Sequence, residues 1–289
     1  MNNILITGAT GNVGMEVIKS LQKLSIPLNI VAGLRDTITD GSTLKDYNIS
    51  FIKFDVTDSS MFATAFNNID ILFLLRPPQI SEVKKYFVPL ISAAISVGIK
   101  HIVFLSVQGV EKSKIIPHHK IEKLIIKSKI PYTFLRAAYF MQNFTTTLKN
   151  DLVKKRRIYL PAGNAKFTLV DVRDIGSVAA VVITNSVNHI NKSYELTCNQ
   201  KYNFYEMAET LSFGLGIKIS YKSANLLNFY LAKRKEKMPV MLILVMIMLH
   251  YFPRFQKAPA VTDCIKIITK NEPITFEQFI DDNKNLLVQ

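Results

Sequence analysis

Apolar and polar residues alternate along the first half of the chain in blocks that predict strands and helices in turn. Short branched runs bounded by turn residues predict buried strands, and apolar residues three or four apart predict the helices between them. The predicted strands cover 4–6, 28–35, 49–56, 69–75, 99–106 and 130–136. The predicted helices begin after Gly14 and then cover 59–67, 81–97 and 118–128. This order is typical of a doubly wound parallel sheet of the α/β class, in which ligands bind at the carboxyl ends of the strands.

The first strand is followed by a turn that contains three glycines. The stretch ILITGATGNVG places Gly8, Gly11 and Gly14 between the strand and the first helix. Glycine lets a backbone bend tightly and approach a ligand closely, and the free amides of a helix N-terminus suit an anion such as pyrophosphate. The spacing is G-x-x-G-x-x-G, which differs from the regular G-x-G-x-x-G of dinucleotide-binding turns. A purely structural turn is the alternative.

Arg35 ends the second predicted strand, where this architecture meets the adenosine ribose. An acidic residue there binds the ribose hydroxyls of NAD, whereas an arginine pairs with the 2′-phosphate of NADP. The order Arg35-Asp36 favours NADP, and NAD is the alternative if Asp36 turns inward. Alternatively, Arg35 and Asp36 have no role in binding and form a solvated pair at the strand end.

Asp55 closes the third predicted strand in FIKFDVTD. Its carboxylate and the Val56 backbone have the position to receive the adenine edge. Alternatively, Asp55 or Asp58 caps the helix that begins near Ser59. The position of Asp55 at the strand end favours a contact with the cofactor, whereas its side chain fits either adenine binding or helix capping.

Composition sets the scale of the fold and its expected compartment. The chain has 289 residues, of which 48% are apolar, enough for one large domain or two modest ones. Cys198 and Cys264 are too few and too far apart for a disulfide framework or a zinc site, so no metal is expected. The start MNNILITG lacks the basic flank and longer apolar run of a signal peptide. A reduced, cytoplasmic setting is therefore expected.

The net charge of +14 raises the question of nucleic-acid binding. The lysines are scattered, and the main basic runs, LVKKRR and LAKRKEK, are brief. No helix-turn-helix, zinc finger or aromatic–basic platform is visible. We expect the charge to attract cofactor phosphates, and we expect no direct binding of nucleic acid.

The apolar segment MPVMLILVMIMLHYF at 238–252 is shorter than the roughly 20 residues that a membrane span needs. It predicts a buried or pocket-lining helix, and no membrane contact is expected. Met238 and Met241 lie here with aromatic neighbours, and methionine adapts to varied flat ligands. Core packing and a dimer surface are the alternatives.

Several ordered stretches resemble the NmrA-like family of atypical short-chain dehydrogenases. They are ILITGATGNVG, FDVTD, GIKHIVFLS, IPYTFLRAAYFMQN, FTLVDVRDIGSVAA, SYELTCNQKYNFYEMAETLS and the tail APAVTDCIKIITKNEPITFEQFIDDN. The resemblance covers almost the whole chain, and the family's own glycine spacing accounts for the irregular turn. It implies an NAD(P)-binding Rossmann core over 1–157 and a smaller C-terminal α/β substrate lobe over 158–289, partly interleaved with the core sheet.

The resemblance also implies roles for individual residues. The pyrophosphate would be held by Gly8, Thr10, Gly11, Asn12 and Val13. Arg35 would bind the 2′-phosphate, Asp55 and Val56 would flank the adenine, and Leu75 and Arg76 would run beside the nicotinamide-side ribose. Tyr139 and Phe140 would meet the nicotinamide, and Met141 and Asn143 would line the substrate pocket. The methionine-rich segment at 238–252 separately adds Met238 and Met241 as pocket candidates.

Catalysis is where the chain departs from ordinary short-chain dehydrogenases. These use a serine and a tyrosine placed four residues before a lysine, but none of the eleven tyrosines here has a lysine at that distance. Ser106 ends the fifth strand as the usual serine would. His118 and Glu122 stand one helical turn apart and so share a face, although a surface helix start is the alternative for this pair. Lys120 or Lys123 would replace the missing lysine, and Tyr139 is a further catalytic candidate.

The missing tyrosine narrows the chemistry that is expected. Hydride addition to a ketone makes an alkoxide, which needs a proton donor worth about 10²–10⁴-fold in rate. Reduction of a quinone gives a phenolate, whose conjugate acid has a pKa of about 10, and a cationic dye is simply neutralised. We therefore expect an NADPH-dependent reductase of a small, flat, electron-poor acceptor. The alternative is a non-catalytic NAD(P) sensor that acts through a protein partner. A monomer or a homodimer fits both.

Overall fold

A computed structural model describes residues 2–24 and 26–289. The chain divides into two compact units. Unit 1 comprises Met1–Ala137, Val172–Leu196 and Cys264–Asn271, and unit 2 comprises Ala138–Asp171, Thr197–Asp263 and Glu272–Gln289. The chain therefore leaves unit 1 after Ala137 and returns to it twice.

The strands and helices are numbered in chain order. The strands are β1 Asn3–Thr7, β2 Asn29–Leu34, β3 Ser50–Lys53, β4 Ile71–Leu75, β5 His101–Val107, β6 Tyr132–Ala137, β7 Tyr139–Phe140, β8 Arg157–Leu160, β9 Phe167–Val170, β10 Lys192–Leu196, β11 Lys201–Tyr202 and β12 Ser220–Ser223. The helices are α1 Asn12–Lys23, α2 Phe62–Phe66, α3 Val83–Ser96, α4 Pro117–Ser128, α5 Lys149–Lys155, α6 Val172–Thr184, α7 Phe204–Leu215, α8 Leu226–Lys235, α9 Val240–Tyr251, α10 Cys264–Thr269, α11 Phe276–Asp282 and α12 Lys284–Val288.

Unit 1 is built on a seven-stranded sheet in the order β10-β6-β5-β4-β1-β2-β3. Every pairing in this sheet is parallel. The strand order reverses between β1 and β4, which is where open parallel sheets leave a crevice beside the carboxyl ends of their strands. The runs of apolar residues in β1, β4 and β5 are buried on both faces, as expected for a sheet covered by helices.

A close helix contact fixes α1 on its side of the sheet. A Cβ atom at Gly176 of α6 would lie 2.5 Å from the carbonyl oxygen of Glu16 in α1. Only glycine tolerates so close an approach of two backbones. The N-terminus of α1 is therefore held in one position by the packing of its own helix.

Unit 2 has smaller sheets and a core rich in aromatic residues. In one sheet β9 pairs with β7 in parallel and with β11 antiparallel, and in the other β8 pairs with β12 in parallel. The largest fully buried side chains of this core are Phe144, Phe204, Phe229, Phe276 and Phe279. A reciprocal capping box between Asn203 and Glu206 begins α7.

The sequence predicted the class and most of the elements of unit 1. The α/β class with a mostly parallel sheet is confirmed, and the six predicted strands correspond to β1–β6 within a few residues. The predicted domain boundary at residue 157 differs from the division at Ala137 and Ala138. Residues 138–157 fall in unit 2 because β7 pairs there with β9 and β8 with β12. The expected interleaving corresponds to the return of 172–196 to unit 1, where β10 pairs with β6.

Candidate functional site

The glycine turn of unit 1 forms an open helix N-terminus at the carboxyl end of β1. Gly11 precedes α1 in an extended conformation, and no side chain caps the helix. The Gly11 amide donates to the Gly8 carbonyl oxygen at 3.0 Å. Within the described residues the amides of Asn12, Val13 and Gly14 have no backbone acceptor. These amides, with no acidic residue in the first turn, are suited to an anion.

The glycines are required by the backbone at two positions of this turn. Gly8 has φ +61°, the left-handed region that favours glycine. A Cβ atom at Gly14 would lie 2.3 Å from the Gly8 carbonyl oxygen, so no larger residue fits without moving backbone. Thr10, Gly11 and Asn12 are exposed around the turn. The side chain of Val13 is buried, so only its amide is available to a ligand.

Thr7 ties the ends of β1 and β4 together beside the turn. Its hydroxyl donates to the carbonyl oxygen of Phe73 at 3.1 Å and accepts from the amide of Leu75 at 2.9 Å. The Leu75 side chain is thereby held next to Gly8, since a Cβ atom there would lie 3.4 Å from it. The expected contribution of Leu75 to the nucleotide site is consistent with this position.

Arg35 and Asp36 behave differently at the end of β2. Asp36 folds back on its own turn, where its carboxylate accepts from the amides of Ile38 and Thr39 at 2.9 and 3.4 Å. Hydrogen bonds from Thr39 and Ile38 hold the pKa of Asp36 below its usual value. Arg35 is exposed, and among the described residues it forms no ion pair or side-chain hydrogen bond. Asp36 therefore does not turn inward, as the alternative required. The Arg35 guanidinium is available to a phosphate.

Asp55 and Asp58 take separate roles after β3. Asp58 caps the short 3₁₀ helix Ser59–Met61 by accepting from the Ser60 amide. Asp55 accepts from the amide and hydroxyl of Thr57 at 2.8 and 2.7 Å, through the same oxygen Oδ1. Capping thus belongs to Asp58, and Asp55 orders its own turn. The Val56 side chain is buried, which leaves its backbone for the predicted adenine contact.

Arg76 orders the loop that follows β4. Its Nη1 donates to the carbonyl oxygens of Pro77, Pro78 and Ile80 at 3.0, 3.2 and 2.6 Å. Its Nε donates to Nε2 of His118 at 3.4 Å. The side chain thus orders the loop, and the contact of Arg76 with the nicotinamide-side ribose remains a prediction.

His118 lacks the properties of a general acid. Burial, together with the charge of Arg76, lowers the pKa of His118 to about 3. The imidazole is therefore neutral near pH 7, with Nε2 as the acceptor of the Arg76 bond. Glu122, one helical turn from His118, is buried and bound by Arg136 through two hydrogen bonds of 3.1 and 2.8 Å. His118 and Glu122 lie on the same face of α4, but they bind different partners.

The candidate residues Lys120, Lys123 and Ser106 differ in their exposure to solvent. Lys120 and Lys123 are exposed, on the face of α4 opposite the buried Ile121 and Ile125. Neither has the inward position of the missing lysine. Ser106 in β5 is 1% exposed, and its hydroxyl has no hydrogen-bond partner among the described residues. A buried hydroxyl without a partner is uncommon in native proteins, which keeps Ser106 as a candidate.

Tyr139 lies in unit 2 with a partner that the sequence did not indicate. Its hydroxyl donates to Nε2 of His250 at 3.1 Å, because Nδ1 of His250 carries the proton donated to the Met246 carbonyl oxygen. Burial raises the pKa of Tyr139, with an opposing contribution from Asn143, and burial lowers the pKa of His250 to about 4. Both groups are neutral near pH 7. Their 111-residue separation explains why no sequence pattern indicated the pair.

The methionines predicted for a substrate pocket fall into three environments. Met141 is completely buried in the core of unit 2, so its role is packing. Met238 is half-buried against the same core, and Met241 is 59% exposed on the outer side of α9. Helix α9 is thus buried on one face only, which corrects the expectation of a buried helix. Phe140 pairs in β7 with β9, and its contact with a nicotinamide remains a prediction.

Within residues 2–24 and 26–289, no group of three or more His, Cys, Asp or Glu side chains is arranged to hold a metal ion. In the same described ranges, each helix is too short or too polar to cross a bilayer.

The chain matches the model of the NmrA-like family over residues 1–265. It is 27% identical to Prestalk A differentiation protein A of Dictyostelium discoideum, over 96% of this chain and 91% of that protein. It is 25% identical to NAD(P)H azoreductase of Xenophilus azovorans, over 96% of each chain. An NADPH-dependent quinone oxidoreductase from Escherichia coli, solved in complex with NADPH, has a TM-score of 0.86 and 23% identity over 96% of this chain and 99% of its own.

Proposed function

We propose, from the premise that this chain belongs to the NmrA-like family, that it is an NAD(P)H-dependent oxidoreductase. Its acceptor is a small, flat, electron-poor molecule of the quinone or dye type. The observation that carries the proposal is the open N-terminus of α1, with its unpaired amides beside a glycine turn. The azoreductase and the quinone oxidoreductase among the similar proteins support the reaction class.

The residues of unit 1 fit a dinucleotide in charge and in shape. The amides of Asn12, Val13 and Gly14 would hold the pyrophosphate, because they lack other acceptors and lie at a positive helix end. Arg35 would pair with the 2′-phosphate through charge-assisted hydrogen bonds. Asp36 is held in its own turn and does not compete for that phosphate.

When bound, NADPH supplies a hydride, and the protein residues hold its reactants in place. Leu75, anchored through Thr7, and the loop ordered by Arg76 form a fixed wall after β4. Such fixed elements favour positioning as the main contribution to rate. His118 is neutral and its Nε2 accepts from Arg76, so this atom does not donate a proton to the product. An acceptor whose reduced form is a stable phenolate needs no strong proton donor, which supports quinones over ketones.

The proposed activity is tested by following NADPH absorbance with a panel of quinones, azo dyes, cationic dyes and simple ketones. We expect oxidation of NADPH with members of the first three classes and none with ketones. Gly11→Trp, which fills the cradle, is expected to abolish turnover. Tight binding of NADPH without oxidation by any acceptor would contradict the proposal and support a sensor instead.

Cofactor choice is tested with Arg35→Ala in calorimetric titrations of NADPH and NADH. Loss of a phosphate–arginine pair is expected to weaken NADPH binding by about 1.5–3 kcal/mol, or roughly 10- to 150-fold. NADH binding should not change. Arg156→Ala, which removes an exposed arginine of unit 2, is the control, and equal losses for both coenzymes would contradict the assignment.

A further inference from the structure

Helix α9 has an outward face without a polar residue. Its inward face places Ile243, Met246 and His250 in buried positions of unit 2. We define the α9 face as the opposite stripe, in which successive residues are three or four positions apart. It consists of Met241, Leu244, Met248 and Phe252, which are 59%, 49%, 41% and 54% exposed. Val240, Leu242, Leu249 and Phe255, also exposed, extend the apolar surface on both sides.

This arrangement is unusual for a helix on the surface of a protein. A surface helix normally turns an apolar stripe to the core and polar residues to water. Single exposed apolar residues are common, but a contiguous apolar surface marks an interaction site. An isolated exposed residue such as Ile115 needs no partner. The contiguous α9 face, in contrast, indicates a partner that covers it.

The charges around the α9 face identify the chemistry of that partner. Residues 226–257 contain six lysines and arginines and a single carboxylate, Glu236. Glu236 is bound by Lys155 at 2.6 Å and by Lys233 at 2.9 Å, so its charge is neutralised within unit 2. The exposed cations lie at both ends of α9. They are Arg234, Lys235 and Lys237 before the helix and Arg254 and Lys257 after it.

We propose that the α9 face docks on an anionic phospholipid bilayer. Apolar side chains that enter the acyl boundary, flanked by cations at headgroup level, are the pattern of interfacial helices. A second copy of this chain fits less well. Both ends of α9 are basic, so a dimer through this face would bring like charges together in either orientation of the two helices.

The dimensions of α9 determine how it meets the bilayer. Its 12 residues give a length of about 18 Å, short of the roughly 30 Å hydrocarbon core. The helix therefore lies in the interface and does not span it. The proposed contact is peripheral, so it leaves the expectation that this segment does not span a membrane unchanged.

The test is co-sedimentation of the full chain with two kinds of vesicle, phosphatidylcholine alone and phosphatidylcholine with about 30% phosphatidylserine. We expect binding to the anionic vesicles, weakened by added salt because the headgroup attraction is screened. Leu244→Glu/Met248→Glu is expected to reduce binding at least tenfold. Phe213→Glu is the matched control, because Phe213 is 93% exposed on α7 outside the face.

The basic ends are tested separately. Lys235→Glu/Lys257→Glu is expected to reduce binding at least tenfold, since each cation near an anionic surface contributes about fivefold. Lys84→Glu/Lys127→Glu, on exposed positions of unit 1, makes the same change in net charge and should have a smaller effect. Circular dichroism checks that each variant is folded.

Two results would overturn the proposal. One is absence of native binding to the anionic vesicles. The other is equal binding by the Leu244→Glu/Met248→Glu variant. A dimer in sedimentation velocity that this variant dissociates, without any vesicle binding, would assign the α9 face to a second copy. None of these results bears on NADPH oxidation, which is measured without lipid, so failure here is distinct from failure of the reductase assignment.

Discussion

The loops after β2, β3 and β4 of unit 1 and the buried polar pairs of unit 2 differ in how far along the chain most of their partners lie. At the strand ends of unit 1, Asp36, Asp55 and Asp58 each bind an amide two residues ahead, and Arg76 binds carbonyl oxygens within four residues. In unit 2, Asp151 binds Lys233 across 82 residues, and Tyr139 binds His250 across 111. These loops of unit 1 are therefore ordered largely by their own neighbours, to which Thr7 and His118 add longer-range bonds. The buried pairs of unit 2 form only when distant segments meet.

The largest effect is expected where unit 2 buries a charge. Asp151 and Lys233 are both almost completely buried, and Lys155 and Arg157 also bind Asp151. Asp151→Asn keeps the shape but removes the carboxylate that three cations share, and leaves Glu236 as the remaining carboxylate partner of Lys155 and Lys233. This loss is expected to cost about 3 kcal/mol of unfolding free energy, the low end for a broken buried pair. Urea denaturation followed by circular dichroism measures this change.

Two controls test the cause of that loss. Asp46→Asn, at an exposed position of unit 1, should leave stability almost unchanged. Asp151→Asn/Lys233→Met also removes the Lys233 charge and should recover much of the loss, because apolar replacement of a buried pair is often neutral. A double variant as unstable as Asp151→Asn would show that the long-range pair is not what stabilises this part of unit 2.

A smaller effect on stability is expected at the glycine turn, with a larger effect on binding. The Cβ atom of Gly14→Ala would meet the Gly8 carbonyl oxygen and Ala9 Cα at 2.3 and 2.8 Å. Relief requires a shift of the α1 N-terminus, at a cost of about 1–3 kcal/mol. The amides would then be misplaced, so NADPH affinity in calorimetry is expected to fall more than tenfold.

The control for this prediction is another glycine of unit 1. Gly98 has φ +78° and open space around its missing Cβ. Gly98→Ala should cost about 1–2 kcal/mol of backbone strain and leave NADPH affinity as it is. Equal loss of affinity in the two variants would mean that the turn is not the binding element.

The smallest effect at neutral pH comes from buried histidines, which change stability only in acid: His250 in unit 2, and His101, His118 and His189 in unit 1. Burial lowers the pKa of His101 in unit 1 and of His250 in unit 2 to about 4. The unfolded chain protonates these groups near pH 6.5, whereas the folded chain does so only near pH 4. Stability is therefore full above pH 6.5 and declines between pH 6.5 and 4, by up to about 1.4 kcal/mol per pH unit for each histidine.

Proton NMR of the histidine Cε1–H signals measures both groups in one titration. Neither signal should shift between pH 7.5 and 5.5 in the folded protein. His101→Asn and His250→Gln assign the signals and should each remove part of the acid decline in unfolding free energy. A midpoint near 6.5 for either histidine would contradict the burial of that residue.

The separation of interacting residues along the chain also explains which features could be predicted from the sequence. The turn around Gly8 closes within seven residues, so spacing and context were enough to predict a helix N-terminus suited to phosphate. The opposite behaviour of Arg35 and Asp36 was left open, because the Ile38 amide that captures Asp36 comes from a loop without a periodic pattern.

Predictions from the sequence were incomplete where the interacting residues are far apart along the chain. His118 and Glu122 were expected to share a role because they share a face of α4, but Arg76 and Arg136 from other strand ends bind them separately. Met141 was expected at the pocket from the family resemblance, whereas the structure buries it completely in the core of unit 2. No local pattern predicts a pair such as Tyr139 and His250.

The returns of the chain to unit 1 have a consequence for its synthesis on the ribosome. When β6 emerges, its outer edge has no neighbour, because β10 is encoded some 55 residues later. An unpaired parallel edge invites association with other nascent chains. Translation must reach Leu196 before the sheet is closed and Asn271 before the unit is complete, so slow elongation through 138–196 prolongs exposure to chaperones and to aggregation.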